Sequence, residues 1–275
     1  MNNKKKLRIA FFGTPDMCIP FLEVLKNSRN TPALIVTNPD RKSGRGMQLT
    51  PPPVKSWGIS NSISILQPEH LDTSFMEEYC KYKIDIAIVF AFGSIISQEI
   101  IDIPTCGTFN IHLSLLPQLR GASPVAGALL SNLDATGTTI QKMIYRLDAG
   151  PVAKQASLEI LEHDNRETLT SKLIELSQPL LIELLTDIEN ECLYLTEQNE
   201  KDKTYFGKIE KSQTELTTSH TDQEKWNMYQ AYTPHPSVWY RDEQDKRVKI
   251  TKAEFSKGKF RPLRVIPEGK KEQDF

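Results

Sequence analysis

Leu7-Arg8-Ile9-Ala10-Phe11-Phe12-Gly13-Thr14-Pro15-Asp16 is the stretch on which the fold reading turns. An apolar run that stops at Gly-Thr-Pro-Asp predicts a buried strand feeding a tight turn and then a helix. That helix carries Ile19, Phe21, Leu22 and Leu25 on one side. The same grammar repeats outward. Ala33–Thr37 reads as the next strand, and 38–50 as a polar loop. Pro51-Pro52-Pro53-Val54 opens a helix, because proline is tolerated in a first turn. Ile63–Leu66 reads as a short strand and Phe75–Tyr82 as part of a helix. Ile84–Phe90 is apolar on both faces and is the strongest strand. Cys106–His112, Thr136–Tyr145 and Val152–Ile160 complete the strands. Ser123-Pro124 reads as an N-cap and first helical residue before Val125–Ser131. Asp164–Ile188 reads as a long amphipathic helix, with Leu169, Leu173, Leu176, Leu180 and Leu184 at helical spacing.

Strands alternating with helices predict an open, mostly parallel α/β sheet. Ligands of such sheets lie beyond the carboxyl ends of the strands. Gly13, Phe90–Gly93 and Asn110–His112 are at such ends. The domain expectation is a catalytic region at 1–190, a polar linker at 191–203 and a small C-terminal β-rich domain at 204–275, with one helix near Gln223–Tyr232.

The charge is unevenly spread. Residues 1–200 carry 18 Lys and Arg against 23 Asp and Glu, whereas 201–275 carry 16 against 12. The mildly basic tail allows a polyanionic partner, although so small an excess equally suits a solvated surface. Cys18, Cys80, Cys106 and Cys192 form no CxxC and read as reduced, mostly buried thiols. The basic start, Met1-Asn2-Asn3-Lys4-Lys5-Lys6, precedes a first strand and not a signal peptide. The segment from Ile84 to Ile96 is too short to span a bilayer. A cytoplasmic protein without membrane contact is expected. The histidines lack ligand spacing, so no metal is expected. Gly13-Thr14-Pro15-Asp16 lacks the second and third glycines that let a backbone approach a pyrophosphate, so NAD is not expected.

The chemistry lies in a second stretch, Asn110-Ile111-His112-Leu113-Ser114-Leu115-Leu116-Pro117. It is followed by Arg120-Gly121 and later by Leu147-Asp148-Ala149-Gly150. Asn110 and His112 alternate on a strand and so share a face. Asp148 arrives from another loop. An amide that donates to an oxyanion, an imidazole that moves a proton and an acid that orients it suit acyl-type transfer to an amine. They do not suit redox or phosphoryl chemistry. A histidine of this kind standing alone is more often structural. The Ser-Leu-Leu-Pro-x-x-Arg-Gly context, with Asp148 placed 36 residues after His112, makes the pattern specific.

On these motifs the chain resembles the folate-dependent formyltransferases, from Leu7 to Pro267-Glu268-Gly269-Lys270-Lys271. The resemblance implies a Rossmann-like fold and a catalytic trio at Asn110, His112 and Asp148. It implies that Ser114, Leu115, Leu116 and Pro117 help hold the tetrahydrofolate, and that a pterin edge is read along Phe90, Ala91, Phe92 and Gly93. The segment from Thr37 to Leu49, then Pro53-Val54-Lys55, resembles the insertion of the members that formylate methionyl-tRNA. Arg41, Lys42 and Arg45 would there reach acceptor-stem phosphates. The implied reaction moves a formyl group from 10-formyltetrahydrofolate to the α-amino group of methionyl-tRNA, in a monomer. Two other readings stay open: an N-formyltransferase for a nucleotide-linked amino sugar, and a non-catalytic RNA- or folate-binding module. The end of the chain departs from the family. Only 26 residues separate Trp239 from Ile266, where a longer barrel-like domain is usual, and His235 stands where tryptophan is common. A shortened domain is therefore expected.

Overall fold

The computed structural model describes residues 6–43 and 47–275. β1 (Ile9–Phe12) has every residue at most 1% exposed, as an apolar run demands. The chain continues through α1 (Ile19–Asn27), β2 (Leu34–Val36), β3 (Arg41–Ser43), β4 (Gln48–Thr50), α2 (Pro53–Ser60) and β5 (Ser64–Leu66). It then forms α3 (Thr73–Cys80), β6 (Ile86–Val89), α4 (Gln98–Ile101), β7 (Gly107–His112), α5 (Pro124–Leu130), β8 (Ala135–Lys142), β9 (Val152–Glu159) and α6 (Arg166–Glu189). The last elements are α7 (Asp222–Tyr232), β10 (Trp239–Arg241), β11 (Arg247–Ser256), β12 (Lys259–Pro267) and β13 (Gln273–Asp274).

A seven-stranded sheet has the order β5-β2-β1-β6-β7-β8-β9. Pairing is parallel from β5 through to β7 and antiparallel between β7 and β8. This is the mostly parallel, Rossmann-like sheet that the sequence predicts. After β1 the chain first builds outward to β2 and β5, then returns to lay β6 on the other side of β1. The reversal separates the connections that leave β1 and β6, and opens a crevice at their carboxyl ends.

The residues gather into two compact units. The first comprises Met1–His112, Thr138–Ala156 and Ile174–Asp202; the second comprises Leu113–Gly137, Ser157–Leu173 and Lys203–Phe275. In the first unit, alternation along the strands sends Ala10, Phe12, Leu34, Val36, Ala87 and Val89 into one apolar layer with Phe75, Tyr79, Phe92 and Ile96. Phe12 is its hub. Its ring stands edge-on to Phe75, Tyr79 and Phe92, with centroids 5.4–6.4 Å away. Such edge-to-face contacts add to the stabilisation from area burial.

In the second unit, β10 to β13 form a four-stranded antiparallel sheet. The Trp226 ring of α7 stacks on Tyr229 and on Phe255 of β11. The Gln230 amide of the same helix donates to the carbonyls of Glu162 and Asp164 at 2.8 and 2.7 Å. Arg120 is fully buried in this unit, with its guanidinium against Tyr205. Gly121 has a φ of +112°, and a Cβ there would sit 2.5 Å from the Phe206 carbonyl oxygen. The Arg-Gly pair therefore builds a tight backbone approach.

Several expectations need correcting. The stretch 38–50 is not only loop, since β3 and β4 pair as a short antiparallel hairpin. Ser123 occupies the N-cap position of α5, but its side chain makes no capping hydrogen bond. Helix α6 begins at Arg166 because the Asp164 carboxylate is already committed to the Leu161 N–H, the Thr168 hydroxyl and Lys172. Along α6, Leu176 and Leu180 are only half-buried, while Leu173, Leu181, Leu184 and Leu185 are fully buried. The thiols are free, yet only Cys18 is buried, and Cys80 and Cys192 are exposed.

Among the described residues, no helix is long and apolar enough to cross a membrane. Because Phe12 joins three rings, Phe12→Ala is expected to lower the unfolding free energy by about 3–5 kcal/mol. Guanidinium denaturation would measure it, and a loss under about 1 kcal/mol would remove Phe12 as the hub.

Candidate active site

β7 positions the amide and the imidazole. Asn110 lies beside Val89 of β6 and opposite Gln141 of β8, and His112 lies opposite Thr139. Asn110 is half-buried and His112 is 6% exposed. The Thr138 hydroxyl donates to the His112 carbonyl at 3.3 Å and lies 2.7 Å from the Ser177 hydroxyl, which ties down the strand end.

Asp148 reaches the same place from the loop between β8 and β9. Its Oδ2 is 3.7 Å from His112 Nδ1, beyond hydrogen-bond length. Its Oδ1 accepts from Gln141 Nε2 at 2.9 Å. Asp148 has a φ of +48°. A non-glycine residue in that left-handed region carries roughly 1–2 kcal/mol of strain. The backbone around it is closely packed. A Cβ on Gly150 would lie 1.8 Å from the Lys142 carbonyl oxygen, so only glycine fits. The Gly150 N–H donates to Gln141 Oε1 at 3.2 Å. Gln198 Nε2 donates to the carbonyls of Asp148 and Gly150 at 3.0 and 2.7 Å.

Phe90–Gly93 leaves β6 with two reversals. Ala91 has a φ of +48° and Gly93 of +82°, and both are exposed. Phe90 and Phe92 are core rings, so only backbone at this end can serve as a reader. The Phe92 carbonyl accepts from Asn38 Nδ2 at 3.0 Å and from the Thr14 hydroxyl at 3.4 Å. Gly13 packs here as well, because a Cβ would approach the Phe90 carbonyl oxygen and Cys18 Sγ within 3.0 Å. Burial pushes the Cys18 thiol up to about 12, so it stays protonated at neutral pH and is no nucleophile.

The hairpin β3–β4 carries Arg41 and Lys42 exposed on its first strand. Arg45 lies outside the described residues. The hairpin is rooted at Asp40, whose carboxylate accepts from Lys55 Nζ at 2.8 Å and Gln67 Nε2 at 2.8 Å. These two donors hold the Asp40 carboxyl below its ordinary range.

His112 and Asp148 thus come together within the first unit, and Asn110 lies on the same face of β7 as His112. Ser114–Pro117 begin the second unit. Ser114 is buried with its hydroxyl donating to the Gln118 carbonyl at 2.6 Å, and the Leu116–Pro117 peptide is cis. Among the described residues, no group of three or more His, Cys, Asp or Glu side chains could hold a metal ion. Gln141 and Gln198 escape the sequence reading. A Gln inside the Thr138-Thr139-Ile140-Gln141 strand is a weak signal for a buried polar group that needs partners, and Gln198 has none.

Known proteins resemble this chain closely enough to be informative. The formyl transferase family model matches residues 7–185. A methionyl-tRNA formyltransferase of Sulfurihydrogenibium sp. is 36% identical over 244 residues, covering 87% of this chain and 78% of that protein. The methionyl-tRNA formyltransferase of Bacillus pumilus is 36% identical over 266 residues, covering 96% of this chain and 82% of that protein. Among solved structures, HypX from Aquifex aeolicus in complex with tetrahydrofolic acid superposes with a TM-score of 0.71 at 14% identity, covering 98% of this chain and 46% of that one. A 4-N formyltransferase from Francisella tularensis gives a TM-score of 0.70 at 18% identity, covering 90% and 98%. At such identities these structures speak to the fold.

Gly150→Ala is expected to force the Asp148 loop away from Lys142 and to cost about 1–3 kcal/mol of stability, the range for overpacking. A variant with an unchanged denaturation midpoint would mean that the loop has room to move.

Proposed function

The chain belongs to the formyl transferase family, and we propose that it transfers a formyl group from 10-formyltetrahydrofolate to the α-amino group of methionyl-tRNA for translation initiation. The observation that carries the chemistry is the approach of Asp148 to His112, with Nδ1 3.7 Å from Oδ2, on the strand whose same face carries Asn110. The acceptor follows from the relatives, named as methionyl-tRNA formyltransferases, whose matches span most of this chain. The hairpin supports it, since Arg41 and Lys42 offer exposed cations to a phosphate backbone. We place the reaction in the cytoplasm, in a monomer. Residues 1–190 carry the reacting groups, 191–203 join them to the C-terminal part, and 204–275 add a few tRNA contacts.

The residues present fit a folate donor. The exposed backbone of Ala91 and Gly93 offers donors and acceptors at the end of β6, as a flat pterin requires, while the Phe90 N–H and the Phe92 carbonyl are taken by the Phe12 carbonyl and by Asn38 and Thr14. Among the described residues, nothing lies within 4 Å of where a Cβ of Gly93 would stand. Ser114, Leu115, Leu116 and Pro117 keep the folate-holding role that the family resemblance implies.

When the neutral amine attacks the formyl carbon, negative charge develops on the formyl oxygen. The Asn110 amide and His112, in its imidazolium form or through one N–H, donate to that oxygen. Asp148 fixes the His112 tautomer and, with His112, carries the proton from the attacking nitrogen toward the departing N10. Neither a metal nor a covalent enzyme intermediate is called for.

Purified protein incubated with 10-formyltetrahydrofolate and charged initiator tRNA should yield formyl-methionyl-tRNA. Transfer to a nucleotide-linked amino sugar in its place would overturn the acceptor assignment. Asn110→Ala and His112→Ala should each cut turnover by about 10²–10³, the cost of losing an oxyanion donor. Turnover within twofold of wild type would remove that residue from the mechanism. Arg41→Ala should raise the KM for tRNA, and each lost phosphate contact should lower the log–log salt slope by about 0.7–0.9. An unchanged KM at low salt would deny the hairpin its role.

A further inference from the structure

Asp148 holds an unfavourable backbone conformation, and two glutamine amides account for its doing so. Gln141 is 2% exposed, and both ends of its amide are used. Oε1 accepts from the Gly150 N–H at 3.2 Å, and Nε2 donates to Asp148 Oδ1 at 2.9 Å. The Gly150 N–H can only donate, so it sets the orientation of the amide and turns the NH₂ toward the carboxylate. With Oδ1 engaged, Oδ2 is the oxygen that faces His112 Nδ1.

Gln198 acts on the backbone of the same loop. Its NH₂ donates to the Asp148 and Gly150 carbonyls. The segment that carries it is itself anchored on both sides of the loop. Thr196 exchanges two backbone hydrogen bonds with Val152, at 2.8 and 2.9 Å, and Glu200 accepts from Arg146 at 2.6 Å. Residues 196–200 therefore form a strap spanning from 146 to 152.

We propose that Gln141 is a positioning residue for Asp148, and that Gln198, on the 196–200 strap, holds the loop in the left-handed conformation which that positioning needs. Neither residue touches the reacting atoms. Gln141 aims the carboxylate and Gln198 keeps its backbone in place. The segment expected to be a passive linker is then part of the site's support.

The role rests on the formyl-transfer reading only for its activity readout, so the test includes one measurement that does not. In full-length protein, the ring signals of His112, assigned by their loss in His112→Ala, are compared by NMR in wild type, Asp148→Ala and Gln141→Leu. Gln141→Leu should move them in the same direction as Asp148→Ala. In the transfer assay, Gln141→Leu should lower kcat by about 10- to 100-fold, the usual loss when the partner of a functional side chain is removed. KM for folate and for tRNA should stay within twofold. In an Asp148→Ala background, Gln141→Leu should change kcat by less than twofold, because residues acting through one another are not additive. Gln198→Leu should act in the same direction and carries the comparison if Gln141→Leu does not fold. His112 signals at their wild-type positions in these variants, or a kcat loss that persists without Asp148, would overturn the proposal. Absence of formyl transfer by wild type would instead overturn the function reading, and the NMR comparison would still decide the positioning.

Discussion

The register of β7 is the constraint on which the site depends. In one direction it sets Asn110 beside Val89, the last residue of β6, and so beside the Phe90–Gly93 turn. In the other it sets Asn110 opposite Gln141 and His112 opposite Thr139. A slip of one residue would send Asn110 and His112 to the far face and lift Phe109 and Ile111 out of the core. Those two side chains are 0% and 3% exposed. Burying such residues is worth about 1.5–3 kcal/mol each, so the apolar members of the strand hold the polar members in place. Packing and chemistry are interleaved on alternate residues of one strand.

The second constraint is local and concerns loops. Asp148 faces His112 from a left-handed backbone, beside a Gly150 that lies tight against Lys142 and donates its N–H to Gln141. The hairpin that carries Arg41 and Lys42 is rooted in a similar way. Asn38 reaches back to the Phe92 carbonyl, and Gln67 donates to both the Asn38 carbonyl and Asp40. The exposed cations and the turn after β6 thus share an anchor, which defines the base of the hairpin.

What was legible in the sequence follows from these physical origins. Ile9–Phe12 and Ile86–Val89 are visible because a strand buried on both faces needs an unbroken apolar run. Asn110 and His112 are visible because their spacing matches the two-residue period of a strand. The β3–β4 hairpin is hidden because Arg41, Lys42, Gln48, Leu49 and Thr50 are all exposed, so no alternation marks it. The reach of the 191–203 segment is hidden for a different reason. Thr196 bonds through its backbone, which leaves no trace in composition, and Gln198 through a single amide. Leu176 and Leu180 mislead because an ideal helical stripe does not say which of its leucines meets the core and which lies at its edge.

Three aspartates differ in the partners that meet them. Asp40 and Asp164 are each met by a lysine, Lys55 and Lys172, within 2.8 and 2.7 Å. Burial pushes the Asp164 carboxyl up, but Lys172, the Leu161 N–H and the Thr168 hydroxyl outweigh it and hold it below its ordinary range. These lysines neutralise the charges they face, which suits a hairpin root and a helix entry. Asp148 is met by the Gln141 amide. An amide N–H fixes the direction of a carboxylate without cancelling its charge, whereas an ammonium ion 2.7–2.8 Å away would offset that charge. The mechanism proposed for Asp148, whose Oδ2 is 3.7 Å from His112 Nδ1, calls for the first kind of partner. Glutamine meets that need, and its length lets one side chain bind the carboxylate and the Gly150 N–H together.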